Sequence, residues 1–250
     1  MKKIDVHAHY GYWPFPILAD SESDLLLMLA ENEIEKCILS SAKAIQYDFV
    51  AGNRELKPIL DRNQELYGYI TLNPNYPIES QKEIDTYQSH PKFVGIKIHP
   101  SYVGQAIDSE ENIAIIKMAE QANLPLLIHT YDGGDTAPHR LLKVREQCAI
   151  IPIIMAHMGG NNWIEGIETA ASAPGIYLDV ICSFYDMDKA RIAIDRVGID
   201  RLVFGTDLTL IHPAVAIGMF ESARLTDDEQ QKIYYTNAIK IFPKLLAPIK

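Results

Sequence analysis

The chain has 250 residues, of which 48% are hydrophobic and 22% are charged, and its formal net charge at pH 7 is -10. This composition is that of an ordinary folded protein and excludes a disordered or low-complexity chain. The acidic excess speaks against nucleic acid as a partner, because contacts of Lys and Arg with phosphates supply most of such affinity. The length predicts a single domain over residues 1–250.

Short apolar runs alternate with stretches of helical periodicity along the whole chain, which is the pattern of repeated βα units. Strands are predicted over residues 3–9, 36–40, 66–72, 93–99, 124–129, 151–157, 176–182 and 201–205. Most are nearly continuous in Ile, Val and Leu, as expected for parallel strands that are covered on both faces. Eight such units without a glycine-rich phosphate loop predict an α/β fold, the (β/α)8 TIM barrel, rather than an open doubly wound sheet.

Several helix boundaries can also be predicted. Ser21 and Ser109 each precede acidic residues and an apolar run, which indicates that a helix begins there. A last helix is predicted over residues 227–246, with an interruption near Pro243 because proline lacks the backbone N–H.

The N-terminal decapeptide MKKIDVHAHY lacks the apolar segment of a signal peptide. No apolar run reaches the roughly 20 residues that a membrane-spanning helix needs. We therefore expect a cytoplasmic protein without a membrane partner. Apolar residues on the outer helices are compatible with assembly into a homo-oligomer.

The three cysteines are widely spaced and form no C-x-x-C motif, so we expect reduced, structural thiols.

Histidines are concentrated where the predicted strands end. Five of the eight lie at C-terminal strand ends, and an aspartate follows the eighth strand: His7, His9, His99, His129, His157 and Asp207. In a barrel these ends converge on one mouth, where the active sites of this fold lie. Imidazole and carboxylate groups are the usual ligands of catalytic zinc. The sequence therefore predicts one divalent ion, zinc with manganese as the alternative, held by His7, His9, His129 and Asp207.

Other polar and aromatic residues near the predicted mouth are candidates for catalysis or substrate binding. His157 and Asp207 are the predicted acid–base residues, because a neutral imidazole and a carboxylate can both take a proton from water. Lys97 shares a strand face with His99, and if it were carboxylated it could bridge a second metal ion. Candidates for substrate contact are His99, Lys97, Trp13, Tyr131, His139 and Arg140.

Six short motifs together resemble the amidohydrolase superfamily, in particular its amidohydrolase-related branch of hydrolases and decarboxylases. They are Ile4-Asp-Val-His-Ala-His9, Val94-Gly-Ile-Lys-Ile-His-Pro100, Leu126-Leu-Ile-His129, Ala156-His-Met-Gly-Gly160, Phe204-Gly-Thr-Asp207 and Asn237-Ala-Ile-Lys-Ile-Phe242. The resemblance covers almost the whole chain. It implies the same four metal ligands and places His157 as a catalytic or additional metal-site residue. Some members of the superfamily carry a carboxylated lysine or a glutamate on strand four, and some need no metal.

Three functions follow as hypotheses. The first is hydrolysis of a small amide, ester or lactone by a metal-activated water. The second is metal-dependent, non-oxidative decarboxylation of an aromatic or unsaturated carboxylic acid, for which Arg54 and Arg140 are candidate partners of the substrate carboxylate. The third is a barrel without catalytic activity that binds a metabolite. In each of the three hypotheses, the molecule that binds to the protein is a small molecule.

Overall fold

The computed structural model describes residues 1–15, 17, 21–148, 150–184 and 186–246. Eight parallel strands pair in chain order and form one sheet. They are β1 (Lys3–Tyr10), β2 (Ile34–Ser41), β3 (Leu66–Thr71), β4 (Phe93–Ile98), β5 (Leu126–His129), β6 (Ile153–Ala156), β7 (Ile176–Asp179) and β8 (Leu202–Val203). The chain is a single-domain TIM barrel, which confirms the predicted fold class.

The barrel closes where β8 meets β1. The amide of Val6 donates to the carbonyl of Phe204 over 2.9 Å, and the amide of Asp207 donates to the carbonyl of His7 over 2.8 Å. A parallel bridge between Ala8 and Leu208 continues this contact. The first and last strands are thereby joined just where the H-x-H motif and Asp207 lie.

Helices follow the strands around the outside of the barrel. They are α1 (Glu22–Glu31), α2 (Ala42–Gln46), α3 (Phe49–Arg62), α4 (Pro77–Tyr87), α5 (Pro100–Val103), α6 (Glu110–Gln121), α7 (Arg140–Gln147), α8 (Trp163–Ser172), α9 (Lys189–Val197), α10 (Pro213–Ser222), α11 (Asp227–Gln231) and α12 (Asn237–Ile241). Ser21 and Ser109 cap α1 and α6, as predicted, because their side chains accept from the amides of Asp24 and Asn112. No helix of the described residues is long and apolar enough to cross a membrane.

Several strands are shorter than predicted, for local reasons. β5 and β6 begin directly after Pro125 and Pro152, which have no N–H to donate to a neighbouring strand. β7 ends at Asp179, whose carboxylate accepts from the amide of Ile181 and turns the chain. The strand bounds were predicted from apolar periodicity alone, which takes no account of these side-chain and proline effects.

The C-terminal segment closes the end of the barrel at which the strands begin. A turn of π-helix (Lys232–Thr236) connects α11 with α12, and a 3-10 turn (Pro243–Leu246) follows the interruption predicted near Pro243. Phe242 packs with Tyr69 in the apolar cluster inside the barrel. Lys244 donates to the carbonyl of Phe93, at the start of β4, over 2.9 Å. This segment covers the end of the barrel that is opposite to the predicted site residues.

Candidate metal centre

The H-x-H motif and Asp207 meet at the open end of the barrel. Nε2 of His9 lies 3.0 Å from Oδ1 of Asp207, and Nε2 of His7 lies 3.5 Å from the same oxygen. His7 is 0%, His9 3% and Asp207 7% exposed. The two histidines of β1 and the aspartate that follows β8 therefore form one buried cluster around a shared carboxylate.

His157 and His129 complete this cluster from the other side of the barrel. One ligand atom each of His7, His157 and Asp207 lies within 4.8 Å of the other two, which is the spacing of a metal site. The ring of His129 lies 4.9 Å from that of His157 and stacks on that of His99 at 3.9 Å. All five predicted strand-end histidines thus meet at the mouth, with His157 as close to the centre as the predicted ligands.

Hydrogen bonds fix the orientation of two of these imidazoles. Nδ1 of His7 lies 2.7 Å from Oδ2 of Asp179, and Nδ1 of His157 lies 2.8 Å from the carbonyl oxygen of Ile181. The Ile181 carbonyl can only accept, so Nδ1 of His157 carries the proton and its Nε2 keeps a lone pair. Asp179, when ionised, imposes the same tautomer on His7. A carboxylate behind an imidazole is the usual support of a metal-binding histidine.

The backbone around the cluster is held in an unusual conformation. Asp207 and His157 have φ values of 58° and 64°, in the left-handed region that costs a non-glycine residue about 1 kcal/mol or more. Asp5 supports the turn before Asp207, because its carboxylate accepts from the amide and the hydroxyl of Thr206 over 3.1 and 2.5 Å. Asp5 is thus a buried structural carboxylate behind the site.

Burial determines the charge state of the cluster. It lowers the pKa of His7 and His129 well below the ordinary value and that of His9 and His157 to a smaller extent, so these imidazoles are neutral. Burial also acts to raise the pKa of Asp207, but the hydrogen bond with His9 and neighbouring positive charge outweigh it, and the net pKa is lowered. Neutral imidazoles and one ionised carboxylate are the protonation states that a metal ion requires.

Lys97 lies beneath the cluster and is completely buried. Its Nζ lies 3.3 Å from Nε2 of His7. Burial lowers the pKa of its ammonium group to about 8, against the opposing effect of Asp207 and Asp179. Lys97 therefore contacts the predicted ligand set and not the substrate space above it.

The donor set fits a divalent cation. Neutral imidazole nitrogens and a carboxylate are the ligand types of catalytic zinc and of related transition metals. The lone pairs of His7 and His157 converge on Asp207, and the carboxylate behind His7 completes the support that such sites have.

A cavity of about 560 Å³ opens above the cluster. His9, His99, His129, His157 and Asp207 form the polar part of its wall, and its aromatic wall comprises Trp13, Phe15, Tyr102 and Tyr131. Three buried polar atoms of this wall have no hydrogen-bond partner in the described part of the chain: Nδ1 of His9, Nε1 of Trp13 and Nδ1 of His99. Polar atoms left unpaired beside an aromatic cavity are those that a bound ligand can satisfy.

Gly160 makes room for one of these aromatic side chains. A Cβ atom at this position would lie 2.8 Å from the ring of Tyr131, and its φ of +60° also favours glycine. The Tyr131 ring consequently stacks parallel to that of His129, with the ring centroids 6.0 Å apart.

The structure does not bring three other candidates to the cavity. His139 is largely exposed and pairs with Glu165 over 2.5 Å. Arg140 binds Asp108 over 2.5 Å and the carbonyl of Gly134, so its guanidinium group is held on the outside. Arg54 is exposed on α3. These residues lie on loops and helices whose direction the sequence does not specify.

Sequence reasoning missed several residues that belong to the site. Among them, Asp179 supports His7, and Tyr102 and Cys182 line the cavity. Asp179 carried a usable signal, since a carboxylate ends the apolar strand Ile176-Tyr-Leu-Asp179 at the same end as the histidines. Tyr102 and Cys182 follow strand ends but belong to residue types that are common in any loop.

Comparisons with known proteins agree with this architecture. The amidohydrolase family model matches residues 4–244. No curated protein matches the sequence. A provisionally named amidohydrolase from Staphylococcus aureus has a TM-score of 0.80 at 19% identity, over 97% of this chain and 100% of its own.

Several of the similar structures are decarboxylases, and two of these contain manganese. Dihydroxybenzoic acid decarboxylase from Polaromonas sp. JS666, with bound manganese and 2-nitroresorcinol, has a TM-score of 0.78 at 18% identity, over 98% of both chains. 5-Carboxyvanillate decarboxylase from Novosphingobium aromaticivorans, with manganese and 4-hydroxy-3-methoxy-5-nitrobenzoic acid, has a TM-score of 0.76 at 14% identity, over 97% of this chain and 96% of its own. At these identities the likeness to solved structures shows the fold, whereas the family match spans nearly all of the sequence, so the chain belongs to the amidohydrolase family.

Proposed function

We propose that this protein is a metal-dependent, non-oxidative decarboxylase of a small aromatic carboxylic acid. The observation that carries the proposal is the buried His/Asp cluster at the floor of a cavity of about 560 Å³ with aromatic walls. The cluster supplies groups for metal and proton chemistry, and the walls suit a flat ring. This proposal favours decarboxylation, the second hypothesis from the sequence, over hydrolysis, the first.

His7, His9, His129 and Asp207 are the proposed ligands of one divalent ion, manganese or zinc. When bound, such an ion supplies positive charge that binds substrate oxygens and stabilises negative charge. Among the described residues that line the cavity, none is Lys or Arg. A substrate carboxylate would therefore meet no side-chain cation there, which supports a metal-dependent enzyme over a metal-free one. Nζ of the buried Lys97 lies 3.3 Å from Nε2 of His7, the atom proposed to bind the ion, so Lys97 is proposed as a neutral amine beside that ligand rather than as a bridge to a second ion.

His157 is the proposed proton carrier. Its Nδ1 is bound to the Ile181 carbonyl, so Nε2 is the atom that exchanges a proton with the substrate. In decarboxylation the bond between the ring carbon and the carboxyl carbon breaks, and carbon dioxide leaves. The bonding electron pair stays on the ring carbon. Nε2 of His157, which is unprotonated in the resting site, takes up one proton from solvent water and passes it to that carbon, so that the carboxylate is replaced by hydrogen. Asp207, whose pKa is lowered by the neighbouring hydrogen bond and positive charge, remains ionised as a metal ligand requires.

The cavity walls position the ring of the substrate. Trp13 stands edge-on to His9 with ring centroids 5.2 Å apart, and Tyr131 lies parallel to His129. A substrate ring between these side chains keeps its carboxylated carbon near the cluster and excludes water from the reacting bond. The unpaired Nε1 of Trp13 is a donor for a ring hydroxyl or carboxylate oxygen.

Two of the compared structures support the choice of substrate class, since decarboxylases of dihydroxybenzoic acid and of 5-carboxyvanillate share this fold and were obtained with manganese and a nitrated phenol.

Hydrolysis of an ester or lactone is the second candidate. It is favoured by the same geometry of His157, because an unprotonated Nε2 beside an ionised carboxylate can also take a proton from an attacking water.

The test begins with the metal content of the purified protein by elemental analysis. The protein, loaded with manganese or zinc, is then assayed with 2,6-dihydroxybenzoate and 5-carboxyvanillate for release of carbon dioxide, and with aryl esters and lactones for hydrolysis. We expect decarboxylation to depend on the metal and to fall about 10²- to 10⁴-fold in His157→Gln, the usual contribution of a positioned acid–base group. His139→Gln is the matched control, because that histidine lies outside the cavity.

Hydrolysis without decarboxylation, lost in the same variant, would replace the proposal by the second candidate. If a protein that carries about one equivalent of metal shows neither activity, both proposed reactions are overturned. The remaining hypothesis is then a metal-containing barrel that binds a metabolite without catalysis.

A further inference from the structure

The wall of the cavity contains a pair of groups that the proposed reaction does not use. Cys182 follows β7, lines the cavity and is 1% exposed. Nζ of Lys189, at the start of α9, donates to its sulfur over 2.9 Å, and the amide of Phe184 donates to it over 3.3 Å. Two N–H donors thus converge on one sulfur atom, which also lies 3.2 Å from the carbonyl oxygen of Phe184.

The burial of Lys189 is costly unless an anion lies beside it. Lys189 is 1% exposed, and the cost of removing an ammonium group from water is several kcal/mol. In the part of the chain that the structure describes, no salt bridge to a carboxylate includes Lys189, and Cys182 is the hydrogen-bond acceptor of its Nζ. The group that lies beside its ammonium is the sulfur of Cys182.

The other two cysteines have different surroundings. Cys37 and Cys148 are both completely buried, and burial raises the pKa of each thiol above its ordinary value. Neither belongs to the cavity wall. They are therefore internal controls for the reactivity of Cys182.

We propose that Cys182 and Lys189 form a thiolate–ammonium pair and that Cys182 is a modification site for a small hydroperoxide that enters through the cavity. The thiolate attacks one oxygen of the peroxide, so that an S–O bond forms and the O–O bond breaks. The sulfur is oxidised to sulfenic acid, and the peroxide is reduced. With hydrogen peroxide, the departing hydroxide takes a proton from the Lys189 ammonium, which leaves a neutral amine and one molecule of water.

The test measures the oxidation of all three cysteines in the folded protein as purified. Hydrogen peroxide is added in the presence of dimedone, which traps sulfenic acid, and the labelled peptides are quantified by mass spectrometry. We expect Cys182 to be labelled at least about tenfold faster than Cys37 and Cys148, because an unpaired thiol is only a few per cent thiolate near pH 7. Lys189→Met is expected to slow the labelling of Cys182 about tenfold, and Lys143→Met, at an exposed lysine, is the control.

Equal labelling of the three cysteines in the wild type would overturn the proposal, and this comparison does not depend on any variant. A Lys189→Met protein that melts as the wild type does but keeps the labelling rate of Cys182 would also overturn it, since the sulfur would then react without its partner.

Discussion

The clearest test of the metal centre is a substitution behind it, Asp179→Asn. Oδ1 of Asp179 accepts from the amide of Ile181, and Oδ2 accepts from Nδ1 of His7 over 2.7 Å. An asparagine that keeps its oxygen on the Ile181 amide points its NH2 group at Nδ1 of His7. Two donors then face each other, and His7 avoids this only by moving its proton to Nε2. That atom has to be unprotonated to bind a metal ion.

The expected magnitude follows from this geometry. His7 and Asp179 are both 0% exposed, so water does not screen or replace the lost interaction. Loss of such a support behind a metal-binding histidine weakens metal affinity about 10- to 100-fold, or about 1.4 to 2.7 kcal/mol. The fold without metal should tolerate the change, because the amide has nearly the same shape as the carboxyl group.

The assay is a competition titration of manganese or zinc against a chromophoric chelator, with the melting temperature of the metal-free protein measured in parallel. Asp195→Asn, at an exposed position on α9, is the control. An affinity within about twofold of the wild type, in a variant with an unchanged melting temperature, would refute the role assigned to Asp179 and with it the orientation of His7.

Two further predictions concern the same centre. In Gly205→Ala the new Cβ would lie 2.6 Å from Oδ1 of Asp179 and 2.9 Å from Cβ of His7, so we expect a loss of metal affinity by titration. Gly218→Ala on α10 meets nothing within 4 Å and should keep the affinity and melt at the same or a higher temperature. Removal of the metal with a chelator should lower the melting temperature by about 5 to 10 °C where the free ion stands at about 100 times its dissociation constant, because only the native state binds it. An unchanged melting temperature would contradict the predicted site.

The sequence was sufficient for the fold class because the evidence for it is local and repeated. Eight apolar runs, each followed by room for a helix, leave few arrangements other than a closed barrel of parallel strands. The same regularity indicated where the active site lies, since the C-terminal ends of all strands of a barrel meet at one mouth. His7, His9, His129, His157 and Asp207 could therefore be grouped before any distance was known.

What the tertiary structure decided is which groups stand behind and beside these residues. Asp179 lies 172 positions after His7, and no period in the sequence links the two, so only the closure of the barrel shows that they share a hydrogen bond. Arg140 was predicted as a candidate to bind a substrate carboxylate, but the path of its loop places its guanidinium group against Asp108 instead. The pairing of Cys182 with Lys189 likewise depends on the turn after β7. Strand order follows from local patterns, whereas side-chain partners across the barrel depend on loop paths and packing that a linear sequence does not specify.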